Sequence, residues 1–357
     1  MAVINYTTPD QQIEKLKKQN LIIEDEDAAK DILSLYGYSN LIKSYREPYT
    51  HISNGQKIYR SGVTFGQIYS LYILDKELRN AVFASMLDLE EHIKEAAADV
   101  VASSFGTEPI DYLNFRNYQN KKKRKDRFTL TKIIQKMNDT LQTDKDPIHH
   151  YQQVHGIVPP WILFKSIYFT TMNNFIDKFK KPEKDKMVDK LYDLSSLGLS
   201  PEAGRMLMMD TLFISQEYRN IAAHGGRTYS YSCNSSLRIS EIFTNGQPVP
   251  ASGFSQLLFL LDMLKYDSPC RSLHYVLNKE VNRHCNRYPQ DVTYLGQILN
   301  MDIVPRTVVY VTESSNKFHV NPYCSGIQNV RQIELDDAKT QGYVPCKRCA
   351  SKIDLTV

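Results

Sequence analysis

Residues 64–104 set the architecture more firmly than any other part of the chain. Their apolar positions Ile68, Leu71, Tyr72, Leu78, Val82, Met86 and Leu89 recur at helical spacing, and Gly106 and Pro109 punctuate the end of the run. One long helix is predicted there, and most of the first 220 residues read the same way. Shorter helices are expected over 11–20, 25–36, 130–142, 161–179, 184–192 and 201–223, the second of them opening on acids that suit a helix N-terminus. After Gly225-Gly226 the texture changes. Residues 227–233 and 237–243 favour strand, and Asn245-Gly246 is a tight-turn signal, so a small inserted hairpin is predicted. Helices over 254–266 and 269–287 follow. Beyond a linker at Ile303-Val304-Pro305, strands over 307–312 and 317–320 flank a Ser-Ser-Asn turn, and a helix over 334–341 ends at Gly342. The expected fold class is mainly α, with a helical domain over 1–302 and a small α+β module over 303–357.

Composition narrows the function classes. At 357 residues the chain exceeds one typical domain. Forty-four basic against 40 acidic residues leave a net charge of only +4, so a nucleic-acid surface has to be a local patch. No run of about 18 apolar residues occurs, which argues against a membrane span. Met1 to Asp10 lacks the basic and apolar segments of a signal peptide. Six cysteines, several at metal-like spacing, point to the reducing cytoplasm rather than to a disulfide framework.

The densest chemical signal is Arg219-Asn220-Ile221-Ala222-Ala223-His224, closed by Gly225-Gly226. It joins a permanently charged, phosphate-matching fork to the side chain whose proton moves near neutral pH, at a predicted helix end. Asn220 and His224 are four apart and share a helix face. Such a set suits attack of an RNA 2′-hydroxyl on its adjacent phosphate. The imidazole would move the proton and the guanidinium would stabilise charge on the phosphoryl oxygens. An Arg and a His five apart also arise by chance in chains of this size, and a His at a helix end is commonly a cap.

The C-terminal module carries a second signal. His319-x4-Cys324, 21 intervening residues and Cys346-x2-Cys349 form a four-ligand set. One imidazole and three thiols suit a tetrahedral, structural Zn²⁺ that would supply folding energy to a tail of this size. Cys233, Cys270 and Cys285 are scattered and read as plain thiols. A third signal is Lys121, Lys122, Lys123, Arg124 and Lys125, with Arg116, Arg127, Lys132 and Lys136 around it, nine positive charges against Asp126. Phe115, Tyr118 and Phe128 flank the run as candidate base-stacking rings. The alternative for the run is a solvated loop.

The order of several stretches resembles the AbiD/AbiF-like abortive-infection family of phage-defence proteins, whose core is a HEPN domain. These are Leu21-Ile22-Ile23-Glu24-Asp25-Glu26-Asp27-Ala28-Ala29, Tyr36-Gly37-Tyr38 with Leu41, and Phe65 with residues 71–79. Leu89-Glu90-Glu91-His92-Ile93-Lys94, Trp161-Ile162-Leu163-Phe164 and the Arg219-to-His224 signature complete the set. The tail is similar to small zinc modules appended to microbial nucleases. The resemblance implies an all-helical, dimeric, metal-independent ribonuclease toxin whose Arg and His from two protomers form one composite site. Arg219 and His224 would be catalytic, Asn220 the polar residue that follows the Arg, and Glu91 an acid that orients the pair. It also implies a restraining partner, such as a small non-coding RNA, for which the basic run is the candidate holder. Two departures stand out: Lys165 where many relatives carry glutamate, and Ala222-Ala223-His224-Gly225 where they often read Cys-Ala-His-His. A non-cleaving RNA-binding protein and a protein-interaction adaptor are the competing function classes.

Overall fold

The computed structural model describes residues 6–121, 125–234, 253–303, 308–324 and 327–350. Helices α1 (Pro9–Lys18) and α2 (Glu26–Tyr36) precede a hairpin of β1 (Thr50–Ser53) and β2 (Gln56–Tyr59). Then come α3 (Phe65–Phe105), α4 (Leu130–Leu141), α5 (Ile148–His155), α6 (Phe169–Ile176), α7 (Lys181–Leu191) and α8 (Pro201–Ala223). After these follow α9 (Phe254–Asp262), α10 (Ser268–Arg287) and α11 (Val292–Leu299). The tail holds β3 (Val308–Thr312), β4 (Ser315–His319), β5 (Arg331–Glu334), α12 (Leu335–Thr340) and β6 (Val344–Pro345). The fold is mainly helical with a small α+β C-terminal region, as the sequence predicts. The chain forms two compact units, Met1–Asn80 with Tyr275–Val357, and Ala81–His274.

Helix α3 forms where periodicity places it. Ile68, Leu71, Leu74, Leu78, Val82, Met86, Leu89, Ile93, Ala97 and Val100 recur every three or four residues, and all are fully buried. The ends of the other helices follow local chemistry. Thr8 and Gln11 bond reciprocally as a capping box at α1, at 3.3 and 3.0 Å. Asp25 accepts the Ala28 N–H at 3.0 Å to start α2.

Two sequence expectations are corrected. The helix predicted over 161–179 is broken: a short helix Pro160–Leu163 runs into a 3₁₀ turn Phe164–Ser166, and α6 starts afresh at Phe169. In one continuous helix Phe164 and Phe175 would lie about 16 Å apart along the axis. The break brings their rings to 5.8 Å, edge to face, in one core. Residues 227–233 form turns instead of a strand, and the predicted 237–243 strand and Asn245-Gly246 turn lie outside the described residues. A hairpin absent from the sequence expectations stands at 50–59, turned by Asn54 (φ 48°) and Gly55 (φ 72°), with Ser53 opposite Gln56. Helix α11 has no counterpart among the sequence expectations.

In the tail, β5, β3, β4 and β6 lie side by side, antiparallel except for the parallel β4–β6 pair. Val309, Val311, Phe318, Val320, Leu335 and Ala338 pack into a small core that includes Cys324 and Cys346.

The first unit is tied together by one buried carboxylate. Asp291 accepts hydrogen bonds from Tyr49 Oη at 2.7 Å and Gln67 Nε2 at 2.9 Å, and His284 Nε2 lies 2.8 Å away. His284 Nδ1 lies 2.9 Å from Ser70 Oγ, so both ring nitrogens have partners. Removing the shared acceptor strands several buried donors at once. Asp291→Ala is expected to cost about 3 kcal/mol and Asp291→Asn less, read as lowered urea midpoints. An unchanged midpoint for the Ala variant would show that the network carries no stability.

Candidate functional site

Helix α8 is positioned through its buried face. Leu207, Leu212, Ile214 and Tyr218 are fully buried, and Asn173 Nδ2 donates to Leu212 O at 2.9 Å. Ser200 caps the start by accepting the Ala203 N–H, with Pro201 following at the first helical position. At the far end Gly225 N–H donates to Ala222 O at 3.2 Å and Gly226 N–H to Ile221 O at 2.9 Å. That bond pair is a Schellman closure, and Gly225 supplies the left-handed φ of 70° it requires. A Cβ on Gly226 would stand 2.4 Å from Ile221 Cδ1, so the second glycine admits the side chain packed over the turn. The helix therefore stops at a fixed residue, His224, whose side chain is exposed.

The chain then folds back on α8. Tyr229 is buried, Tyr218 Oη donates to Tyr231 O at 3.2 Å, and Tyr231 Oη donates to Glu217 Oε2 at 3.0 Å. The Asn234 N–H reaches the same carboxylate oxygen at 2.7 Å. These bonds use the backbone and side-chain polar groups that a strand would have offered to a neighbour.

Arg219 and Asn220 are half-buried one turn before His224, so all three sit on the last turns of α8. Arg219 lies with Nε 3.8 Å from Glu90 Oε2 and its guanidinium carbon 5.7 Å from the centre of the Phe83 ring. Glu90 is 8% exposed and also pairs with Lys94 Nζ at 2.7 Å. The side chain of Arg219 keeps 30% of its surface open. The acid against Arg219 is thus Glu90, whereas Glu91 is exposed. The sequence shows two adjacent glutamates on α3, and only the helix's rotation in the fold separates their roles.

Glu90 and Glu91 line a cleft of about 740 Å³ together with Asp88, His92, Lys94, Trp161, Lys165 and Tyr266. Tyr266 Oη donates to Asp88 at 2.7 Å and its ring stacks on His92 at 4.6 Å. Burial pushes the His92 pKa below the ordinary imidazole value. Trp161 is 37% exposed. Sequence reasoning assigned no function to His92, Trp161 or Tyr266; a partly exposed tryptophan becomes informative only once its surroundings are known.

The basic run is described in part. Lys121 is exposed, with Nζ 3.7 Å from Asp177 Oδ1, and its carbonyl accepts from the buried Lys178 Nζ at 3.2 Å. Lys125 and Arg127 are exposed, Arg127 lying over Phe128 at 4.7 Å. Lys122, Lys123 and Arg124 lie outside the described residues. Phe115 is exposed, but Tyr118 is buried against Phe105, Phe175 and Phe179, which removes it as a base-stacking ring.

In the tail, His319, Cys324, Cys346 and Cys349 present ligand atoms that all lie within 4.8 Å of one another. Cys324 Sγ is 3.9 Å from Cys346 Sγ, and Cys349 Sγ is 3.5 Å from His319 Nδ1. Burial and the neighbouring thiols push Cys324 up to about 11. Burial also raises Cys346, but hydrogen bonds from the Arg348 and Cys349 N–H groups and from the neighbouring thiols together outweigh it and leave its thiol below the ordinary range. Thiols folded this closely around one point suit a metal ion. Elemental analysis of purified protein is expected to find one bound metal ion per chain, lost in Cys346→Ser together with protease resistance of residues 308–350. Full resistance in metal-free protein would count against the site.

No match was found among curated proteins or among solved structures. A family model described as Abi-like protein matches residues 31–230, which include Glu90, Trp161, Arg219 and His224 and make up more than half of the chain. On that match the chain belongs to the Abi-like family of abortive-infection proteins.

Proposed function

We propose that this chain is a HEPN-type endoribonuclease that acts as a phage-defence toxin and cleaves RNA without a catalytic metal. The observation that carries the reading is the end of α8: an exposed His224 at a glycine-fixed terminus, with Arg219 one turn back and anchored by a buried carboxylate. Glu90 and Phe83 orient the guanidinium while part of it faces solvent, as a phosphate-binding arginine requires. In the reaction the 2′-oxygen attacks the adjacent phosphorus as its proton is removed, and the 5′-oxygen leaves as it is protonated. The products are a 2′,3′-cyclic phosphate and a 5′-hydroxyl. His224 moves a proton, Arg219 stabilises the charge on the non-bridging oxygens, and Asn220 offers its amide to the same phosphate. A second protomer supplies the second Arg-His pair, so the composite site belongs to a homodimer.

The C-terminal residues 303–357 serve this reading as a zinc module. A Zn–S bond of ~2.3 Å in a tetrahedron sets sulfur atoms ~3.8 Å apart. The 3.9 Å between Cys324 and Cys346 fits that edge. Four protein ligands leave no open position, so the ion supplies cross-linking and no step of catalysis. The exposed Lys125 and Arg127, with the rest of the basic run, are the proposed contacts for RNA, substrate or inhibitory.

The test is cleavage of RNA in Mg²⁺-free buffer by protein of known zinc content. His224→Ala and Arg219→Ala should each lower the rate by about 100-fold or more while folding and zinc content stay unchanged. Parent-like cleavage by His224→Ala would overturn the mechanism. RNA that co-purifies and stays intact with the parent protein would favour a non-cleaving RNA-binding role.

A further inference from the structure

The cleft along α3 holds hydrogen-bonding capacity that the protein itself leaves unused. Glu90 is more than nine-tenths buried; Lys94 holds its Oε1, and its Oε2 faces Arg219 Nε at 3.8 Å without accepting a hydrogen bond. His92 has a buried Nε2 without a hydrogen-bond partner. Buried polar atoms are normally satisfied, so such atoms at a cleft wall mark where a ligand's polar edge belongs. Asp88 is taken by the Tyr266 and Ser268 hydroxyls at 2.7 and 2.9 Å, whereas Glu91 is exposed on the same cleft. Trp161, the chain's only tryptophan, adds a partly open indole. The volume of about 740 Å³ falls in the range of small-molecule sites.

We propose that this cleft seats a guanine ring of the RNA strand, stacked on Trp161, with its N1–H and N2–H₂ edge on the carboxylates of Glu91 and Glu90. An aromatic face and an edge acceptor are how proteins read unpaired RNA bases. Guanine alone among the four bases presents two adjacent donors to a carboxylate. Uracil flanks its one N–H with carbonyls, and adenine and cytosine set an acceptor beside their amino groups. Carboxylates repel phosphate, so the backbone stays outside the cleft. Glu90 also touches Arg219, which sets the base beside the phosphate that Arg219 would hold. The inference rests on the ribonuclease reading for the source of the guanine.

Trp161 reports occupancy directly. Guanosine, which carries no phosphate, is expected to quench its fluorescence saturably, with uridine and cytidine at least tenfold weaker. Glu91→Gln, a change at an exposed position, should weaken guanosine about tenfold. Cleavage products mapped by their ends should place guanine next to the cut, a preference lost in Trp161→Leu. Equal response to all nucleosides, no response, or unchanged binding by Glu91→Gln would overturn the proposal. Quenching by arginine amide in place of guanosine would overturn it in favour of a cationic protein side chain. RNA cut without base preference and without guanosine quenching refutes the guanine site alone. Guanosine binding with RNA left intact refutes the cleavage reading and keeps the cleft.

Discussion

A carboxylate that a helix carries into the interior must find cations there, and Glu90 fixes the position of two. Lys94 meets it from one turn along α3 at 2.7 Å, and Arg219 comes from α8 at 3.8 Å. Isolated, a buried charge of this kind would cost several kcal/mol. Arg219 is therefore placed by an electrostatic requirement of the core and not by a contact at the surface. The same requirement ties the register of α8 against α3, since the arginine must arrive where the acid is. His224 inherits its location from that register, five residues on and stopped by Gly225.

The two glycines complete the constraint from the other side. A helix free to fray would let the terminal imidazole wander over several ångströms. The Gly225 conformation and the Ile221 side chain packed against Gly226 close the last turn with two backbone bonds. The segment after it is then tied back through Tyr231 and Asn234 to Glu217. A charged fork and a titratable ring are thus set on one rigid helix end, with both ends of the arrangement anchored.

Much of this was legible in the sequence because it depends on spacing along one element. The buried ladder of α3, the glycine stop of α8 and the His-Cys-Cys-Cys set of the tail are all local patterns, and the structure places each where spacing puts it. What was not legible depends on rotation or on return of the chain. Glu90 and Glu91 are neighbours about 100° apart around one helix, and a sequence does not say which faces Arg219. The break after Leu163 follows from Phe164 and Phe175 sharing a core, a tertiary demand. Asn54-Gly55 is a hairpin-turn dipeptide missing from the sequence expectations, because Thr50-His51-Ile52-Ser53 offers too little apolar alternation to read as a strand. Tyr118 sits beside a basic run in sequence while its ring belongs to the interior, which proximity along the chain cannot reveal.

The charge distribution constrains how the proposed site would meet its substrate. A net charge of +4 gives no strong overall field, and the cleft beside Arg219 carries Asp88, Glu90, Glu91 and Glu95 against Lys94 and Lys165. Phosphates are therefore favoured at Arg219 and at local clusters such as Lys125 and Arg127, and disfavoured along the cleft wall. On the proposed reading affinity comes from few phosphate contacts, and selection comes from a base that can donate hydrogen bonds to carboxylates. Such a division suits a toxin. On that reading weak general attraction would limit damage to bulk RNA, and each productive encounter would require a base edge, a phosphate and a second protomer to be in register together.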